Sequence, residues 1–164
     1  MSLAAIALGS NLRSRWGDRA ANLREAITRL GAHGQVRAVS GFYDTEPAGY
    51  ADQPRFLNAA LLLETGLAPV ALLRALLEIE QAMGRDRSAV VAKGPRVIDL
   101  DLLLMGEAVL NTAAGPGAEP ALTLPHAAMA QRRFVLEPLA EIAPDLIHPG
   151  TGRSIAQLLS ELDG

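Results

Sequence analysis

Gly94-Pro95-Arg96-Val97-Ile98-Asp99-Leu100-Asp101-Leu102-Leu103-Leu104 decides how this chain folds. Gly-Pro is turn chemistry, and the branched aliphatic run behind it reads as a buried strand. Side chains alternate between the faces of a strand. Ile98, Leu100, Leu102 and Leu104 are therefore predicted on one apolar face, and Asp99 and Asp101 on the other. Two carboxylates two residues apart have Cβ atoms roughly 7 Å apart, from a rise of about 3.3 Å per residue. That spacing suits a pair of hard cations, and Asp oxygens are good magnesium ligands. Two such ions about 4 Å apart can clamp a triphosphate and a nucleophile. The alternative is a solvated acidic face on a one-sided sheet. Asp is disfavoured in strands, and two in so apolar a run need a cause.

A length of 164 residues predicts one domain, 1–164, with a real core. Hydrophobic residues make up 49% and exclude general disorder. A net charge of −3 provides no basic field for nucleic acid. The absence of Cys removes disulfides, thiolate metal sites and Cys nucleophiles. No apolar run approaches the roughly 18 residues of a membrane span, and Met1 to Leu8 lacks a basic signal flank. A cytoplasmic protein without a membrane or obligate protein partner is the expectation.

Outward from the acidic stretch, Leu3–Leu8 reads as a first strand ending in the turn cluster Gly9-Ser10-Asn11. Asp18 can cap a helix carrying Leu23, Ala26, Ile27 and Leu30, which Gly31 stops. Val36–Tyr43 is strand-like, and a long loop follows from Thr45 to Pro54. Phe56–Glu64 is a strand with Leu57, Ala59, Leu61 and Leu63 on one face and Phe56, Asn58, Ala60 and Leu62 on the other. Pro69 starts a second helix with Leu72, Leu76, Ile79 and Met83 inward, ended by Gly84. The order β-α-β-β-α-β predicts an α+β ferredoxin-like core. Its antiparallel sheet carries two helices on one face and leaves the other open, where Asp99, Asp101 and Asn58 could meet. A short hairpin through Glu107–Leu110 is expected next. A Gly/Pro/Ala-rich insertion at 113–121 follows, then a helix holding Arg132, Arg133, Phe134, Val135 and Leu139. The last helix runs near Ser154–Leu162.

Cationic groups cluster before the acidic strand: Arg85, Arg87, Lys93 and Arg96. Arg132, Arg133 and His126 come later. Guanidiniums bind phosphate oxygens with forked hydrogen bonds, and phosphoryl transfer needs positioning and charge stabilisation above all. No Walker A loop is present. Asn58 in an apolar strand must find partners, at a cost of about 1–3 kcal/mol if it does not. Beside Phe56 it suits a flat heterocycle, while a core Phe and an amide bonded to loop backbone is the plainer alternative. His126 can touch phosphate or cap the next turn.

These pieces resemble the 6-hydroxymethyl-7,8-dihydropterin pyrophosphokinase family of the folate pathway, nearly end to end. The resemblance rests on Ala7-Leu8-Gly9-Ser10-Asn11-Leu12, Phe42-Tyr43-Asp44-Thr45-Glu46-Pro47, and Asp52-Gln53-Pro54-Arg55-Phe56-Leu57-Asn58. It continues through Gly94-Pro95-Arg96, Asp99-Leu100-Asp101, Leu124-Pro125-His126 and Arg132-Arg133-Phe134-Val135-Leu136. It implies transfer of the β,γ-diphosphate of ATP to the pterin hydroxymethyl group, with AMP released. It implies two Mg2+ ions on Asp99 and Asp101, and polyphosphate contacts from Arg85 and Arg96. Glu80, Arg87, Lys93, Thr123, His126 and Arg132 match nucleotide-site positions. Phe56 and Phe134 match rings that sandwich the pterin, Asn58 the side chain that reads its edge, and Thr45 to Ala48 the backbone lining that pocket. Lys93 stands where many members carry an aromatic, and Ala127 where an aromatic is frequent. The stretch 85–93, bounded by Gly84 and Gly94, is predicted to close over bound nucleotide as a lid. A ferredoxin-like binding module and a nucleotidyltransferase releasing pyrophosphate are the competing functions.

Overall fold

The computed structural model describes residues 1–46, 53–84, 95–115 and 120–163. β1 (Ser2–Ser10) runs through the middle of the molecule. Antiparallel β4 (Phe56–Thr65) flanks it on one side and β5 (Asp99–Met105) on the other. β2 (Gln35–Val39) pairs with the far half of β4, and β3 (Tyr43–Thr45) with its first residues. The sheet order β2-β4-β1-β5 is the ferredoxin-like order, all antiparallel.

α1 (Arg19–Leu30) begins where the Asp18 carboxylate accepts the Ala21 N–H at 2.9 Å. α2 (Pro69–Ala82) begins on Pro69, whose fixed φ suits a first helical turn. Gly84 lies beyond its end at φ +101°, a conformation that glycine adopts without strain. Leu23, Ala26 and Leu30 of α1, with Leu72, Leu76, Ile79 and Met83 of α2, bury the first face of the sheet. Ile6, Leu8, Ala59, Leu61, Leu63 and Leu100 meet them there.

The second face is not open, as the six-element pattern alone predicted. α3 (Arg133–Ile142) and α4 (Ile155–Asp163) cover half of it. They press Val135, Leu136, Leu139, Ile155 and Leu158 onto Ala5, Ala60, Leu62, Leu103 and Leu104. Pro138 lies inside α3, so the Phe134 carbonyl four residues earlier has no helical N–H to accept. The half of this face left uncovered holds Ala7, Gly9, Asn58, Asp99 and Asp101.

Three further expectations are corrected. Leu104 does not share the face of Leu100 and Leu102. Ala5 pairs with Leu104 and Ile6 with Leu102, so Leu103 is an extra bulged residue and the alternation reverses after it. The stretch 36–43 is two strands, because Ser40 turns inward. Its N–H donates to the Ala60 carbonyl (2.9 Å) and its hydroxyl accepts the Ala60 N–H (2.9 Å). The expected hairpin at 107–110 does not form with β5. β6 (Leu110–Thr112) pairs instead with β7 (Leu122–Leu124), across the insertion.

Candidate active site

Register assembles the site. Asn58, Gly9 and Asp99 stand in one row across β4, β1 and β5, and Ala60, Ala7 and Asp101 in the next. Gly9 and Ala7 keep the middle of the floor low, so the amide on one side and the carboxylates on the other border a trough. A Cβ on Gly9 would lie 3.0 Å from Asn58 Oδ1 and 3.6 Å from a Phe56 ring carbon. On β3, Thr45 stands opposite Phe56. Its hydroxyl oxygen accepts the Asn58 Nδ2–H at 2.5 Å. With one of its two N–H donors engaged there, the amide presents Oδ1 as an acceptor beside Gly9.

Arg96 is held by its backbone. Asn11, 2% exposed, accepts the Arg96 N–H on Oδ1 (2.7 Å), while the Asn11 N–H donates to the Arg96 carbonyl (3.0 Å). Nδ2 of the same side chain donates to Gln53 Oε1 (2.8 Å) and the Pro54 carbonyl (3.0 Å). One buried asparagine thus ties the end of β1 to both segments that enter the site. The guanidinium lies 3.2 Å from Asp99 Oδ1 through Nη1. Its buried Nε–H has no hydrogen-bond partner among the described residues. An orphan donor of this kind suits an anion's oxygen.

Burial, and next the neighbouring Asp99 charge, hold the Asp101 carboxyl above its usual range, with His126, Arg132 and Arg96 partly offsetting them. Two crowded carboxylates of this kind are relieved by a cation. No group of three or more His, Cys, Asp or Glu positioned to hold an ion occurs among the described residues. An ion on Asp99 and Asp101 would leave places in its shell for water and phosphate oxygens, the habit of magnesium. The residues fit that metal.

Glu80, on α2 and 2% exposed, accepts the Leu100 N–H at 2.8 Å. That N–H lies on the strand that ends the sheet. The bulge at Leu103 has a use: its carbonyl accepts the His126 N–H at 2.7 Å. His126 Nδ1 accepts the Ala128 N–H at 3.2 Å, which assigns the ring proton to Nε2. The ring therefore caps its own turn and still carries a donor. The Arg132 guanidinium sits 5.7 Å from the centre of the Phe134 ring.

These residues line one cavity of about 600 Å3. Thr45, Phe56, Asn58 and Phe134 wall one end, and Arg96, Asp99, Asp101, His126 and Arg132 the charged middle. Glu80 with Leu73, Leu77, Pro120 and Ala121 forms a more apolar end. Thr123 is exposed on β7 between buried Leu122 and Leu124 and is not among the lining residues. Arg133 turns away to pair with Glu137 and Asp163. Ala48, Arg85, Arg87 and Lys93, and with them the predicted lid, lie outside the described residues. In sequence Asn11 reads only as part of a turn, and its clasp is hidden because its partners are up to 85 residues away.

Comparison with known proteins gives the family. Residues 5–144 match the family described as 7,8-dihydro-6-hydroxymethylpterin-pyrophosphokinase (HPPK). The 2-amino-4-hydroxy-6-hydroxymethyldihydropteridine pyrophosphokinase of Pseudomonas aeruginosa is 45% identical, over 94% of this chain and 88% of its own. That of Methylorubrum extorquens is 42% identical, over 99% and 95%. The folic acid synthesis protein fol1 of Schizosaccharomyces pombe is 39% identical over 98% of this chain, which spans only 20% of that longer protein. The fold also matches wild-type HPPK-DHPS of Plasmodium falciparum, with a TM-score of 0.76 and 15% identity, over 98% of this chain and 44% of that one. This chain belongs to the 7,8-dihydro-6-hydroxymethylpterin-pyrophosphokinase family.

Proposed function

We propose that this domain transfers the β,γ-diphosphate of ATP to the hydroxymethyl oxygen of 6-hydroxymethyl-7,8-dihydropterin, releasing AMP. The observation that carries the reading is the single cavity that joins an aromatic and amide slot to an acidic pair flanked by guanidiniums. Phe56 and Phe134 are the flat surfaces for the pterin ring. Asn58 Oδ1, pre-set by Thr45, accepts from the donor edge of the heterocycle; Thr45 to Ala48 complete that pocket. Two Mg2+ ions on Asp99 and Asp101 would neutralise the triphosphate and lower the charge barrier to attack at the β-phosphorus.

In the reaction the hydroxymethyl oxygen bonds to the β-phosphorus, the bond from that phosphorus to the α–β bridging oxygen breaks, and the hydroxyl proton passes to solvent. Arg96, fixed by Asn11, directs its guanidinium at phosphate oxygens on which charge builds during transfer. Arg85 is assigned the same work by the family resemblance. Glu80, Arg87, Lys93, Thr123, His126 and Arg132 are assigned to the nucleotide. His126 supplies Nε2–H to a phosphate, and Glu80 acts through the Leu100 backbone it steadies. Residues 1–164 act as one domain and the reaction is cytoplasmic. No helix among the described residues is long and apolar enough to cross a membrane.

The test is the nucleotide product. With ATP, magnesium and the pterin, AMP should appear in step with the pterin diphosphate and only when the pterin is present. ADP as the product would identify a simple kinase and refute the proposal. Released pyrophosphate would identify nucleotidyl transfer and refute it equally.

A further inference from the structure

We infer that Tyr43 and Glu141, which do not line the main cavity, are positioning residues that set the width of its aromatic slot. This rests on the reading of that slot as the pterin site. One wall of the slot is β3 with the start of β4, and the other is Phe134 on α3. β3 is three residues long, and β4 is its sole strand partner among the described residues. The ion pairs of Asp44 with Arg19 and Arg55 tie it to the start of α1 and to the residue before β4.

Packing alone does not fill the space between the two walls. A gap of about 370 Å3 lies between them, lined by Tyr43, Thr45, Phe134, Glu137 and Pro138 among others. Pro138 also removes the helical donor to the Phe134 carbonyl. Glu141 bridges the walls instead. Its Oε1 accepts the Tyr43 hydroxyl at 2.6 Å, and both its oxygens lie 3.1 Å from the Gly41 N–H. These hydrogen bonds join α3 to the entry of β3. The carboxylate raises the Tyr43 hydroxyl to about 12, so the phenol stays a donor throughout the working range.

Placement turns the brace into a device acting on the slot. Phe134 and Glu141 are seven residues apart, two turns, and so share one face of α3, about 10 Å apart along its axis. Tyr43 stands opposite Asn58 in the β3–β4 register, and Thr45 on the same strand bonds that amide. Releasing the brace lets β3 move from α3, which loosens the Asn58 amide and widens the distance to the Phe134 ring together. The nucleotide end of the cavity is untouched by this movement.

The experiment measures pterin and ATP KM, kcat and thermal midpoint of the full chain. The variants are Tyr43→Phe, Glu141→Ala and Glu141→Gln. Tyr43→Phe and Glu141→Ala should raise the pterin KM roughly three- to tenfold, the worth of one hydrogen bond to a charged group partly replaced by water. ATP KM and kcat should stay within about twofold. Glu141→Gln keeps an oxygen for both donors and should restore most of the pterin KM. In a Phe134→Ala background the Tyr43→Phe effect should shrink to the part that acts through the Asn58 amide, since one of the two walls it positions is gone. An unchanged pterin KM in Tyr43→Phe, an equal rise in ATP KM, or full additivity with Phe134→Ala would overturn the inference. If Phe134→Ala itself leaves the pterin KM unchanged, the pterin slot is wrongly located and both readings fall.

Discussion

Gly9→Ala tests the floor of the site with one carbon. The new Cβ would stand 3.0 Å from Asn58 Oδ1, tight enough that the neighbour must shift by a few tenths of an ångström. Asn58 cannot retreat freely, because its Nδ2 is bonded to Thr45 at 2.5 Å on the other side. Phe56, 3.6 Å from the same Cβ, closes a further direction. The amide must turn, and it then loses either the Thr45 bond or the acceptor it offers to a ligand. One unpaired polar group of this kind costs about 1–3 kcal/mol, or roughly five- to 150-fold in pterin dissociation constant. Gly9 is an ordinary strand position, and replacing Gly with Ala there removes unfolded-state entropy worth about 0.4–1 kcal/mol. If the Thr45 bond is kept, stability should hold or rise while pterin affinity falls; if it is lost, both fall. Calorimetric titration with the pterin, then with a nonhydrolysable ATP analogue, separates the two. Pterin affinity within twofold of the parent would refute the amide's role, and an equal loss for the analogue would refute its location.

Other expectations follow from the same geometry. Asp101→Asn should lower turnover roughly a hundredfold or more, the scale of losing a main electrostatic stabiliser. It should also raise the thermal midpoint of the metal-free protein. The sign follows from the raised Asp101 carboxyl: native stability is full below the ordinary value of 3.8 and falls as pH rises through the higher native one. The gain from Asn should thus be present at pH 7 and absent near pH 3.5; a gain of equal size at both would contradict this cause. Asn11→Ala leaves the Arg96 N–H and two further groups unpaired, so denaturant melts should show a loss of about 2–3 kcal/mol. kcat should fall further than ATP affinity; an unchanged kcat would show that Arg96 needs no clasp. Phe134→Ala should weaken the pterin by about 1–3 kcal/mol, by analogy with base stacking, and spare the ATP analogue. A selective loss of the analogue would exchange the two ends of the cavity.

The floor of the site was legible because strands alternate. Phe56 and Asn58 opposite Leu57 and Ala59, and Asp99 and Asp101 opposite Leu100, keep the parity that the structure shows. The reversal at Leu104 was hidden, since a bulge in a run of leucines leaves no compositional mark. The break at Ser40 was hidden because its hydroxyl serves the Ala60 backbone, a partner 20 residues away. The covering of the second face follows from where α3 and α4 dock, and amphipathicity gives a buried stripe without its destination. Asn11 to Arg96 and Tyr43 to Glu141 span 85 and 98 residues, so no local spacing could expose them. The charged side chains of the site were readable from residue type, while what holds them in place was not.

The metal clamp is the centre of this account, and counting ions tests it most directly. Manganese can stand in for magnesium, and its paramagnetic resonance reports free ion in the presence of protein and a nonhydrolysable ATP analogue. The parent chain should bind two ions per molecule in excess of those held by the analogue alone. Asp99→Asn and Asp101→Asn should each bind fewer, with pterin affinity intact. Two ions bound as tightly in both variants as in the parent would contradict the assignment of the acidic pair on β5.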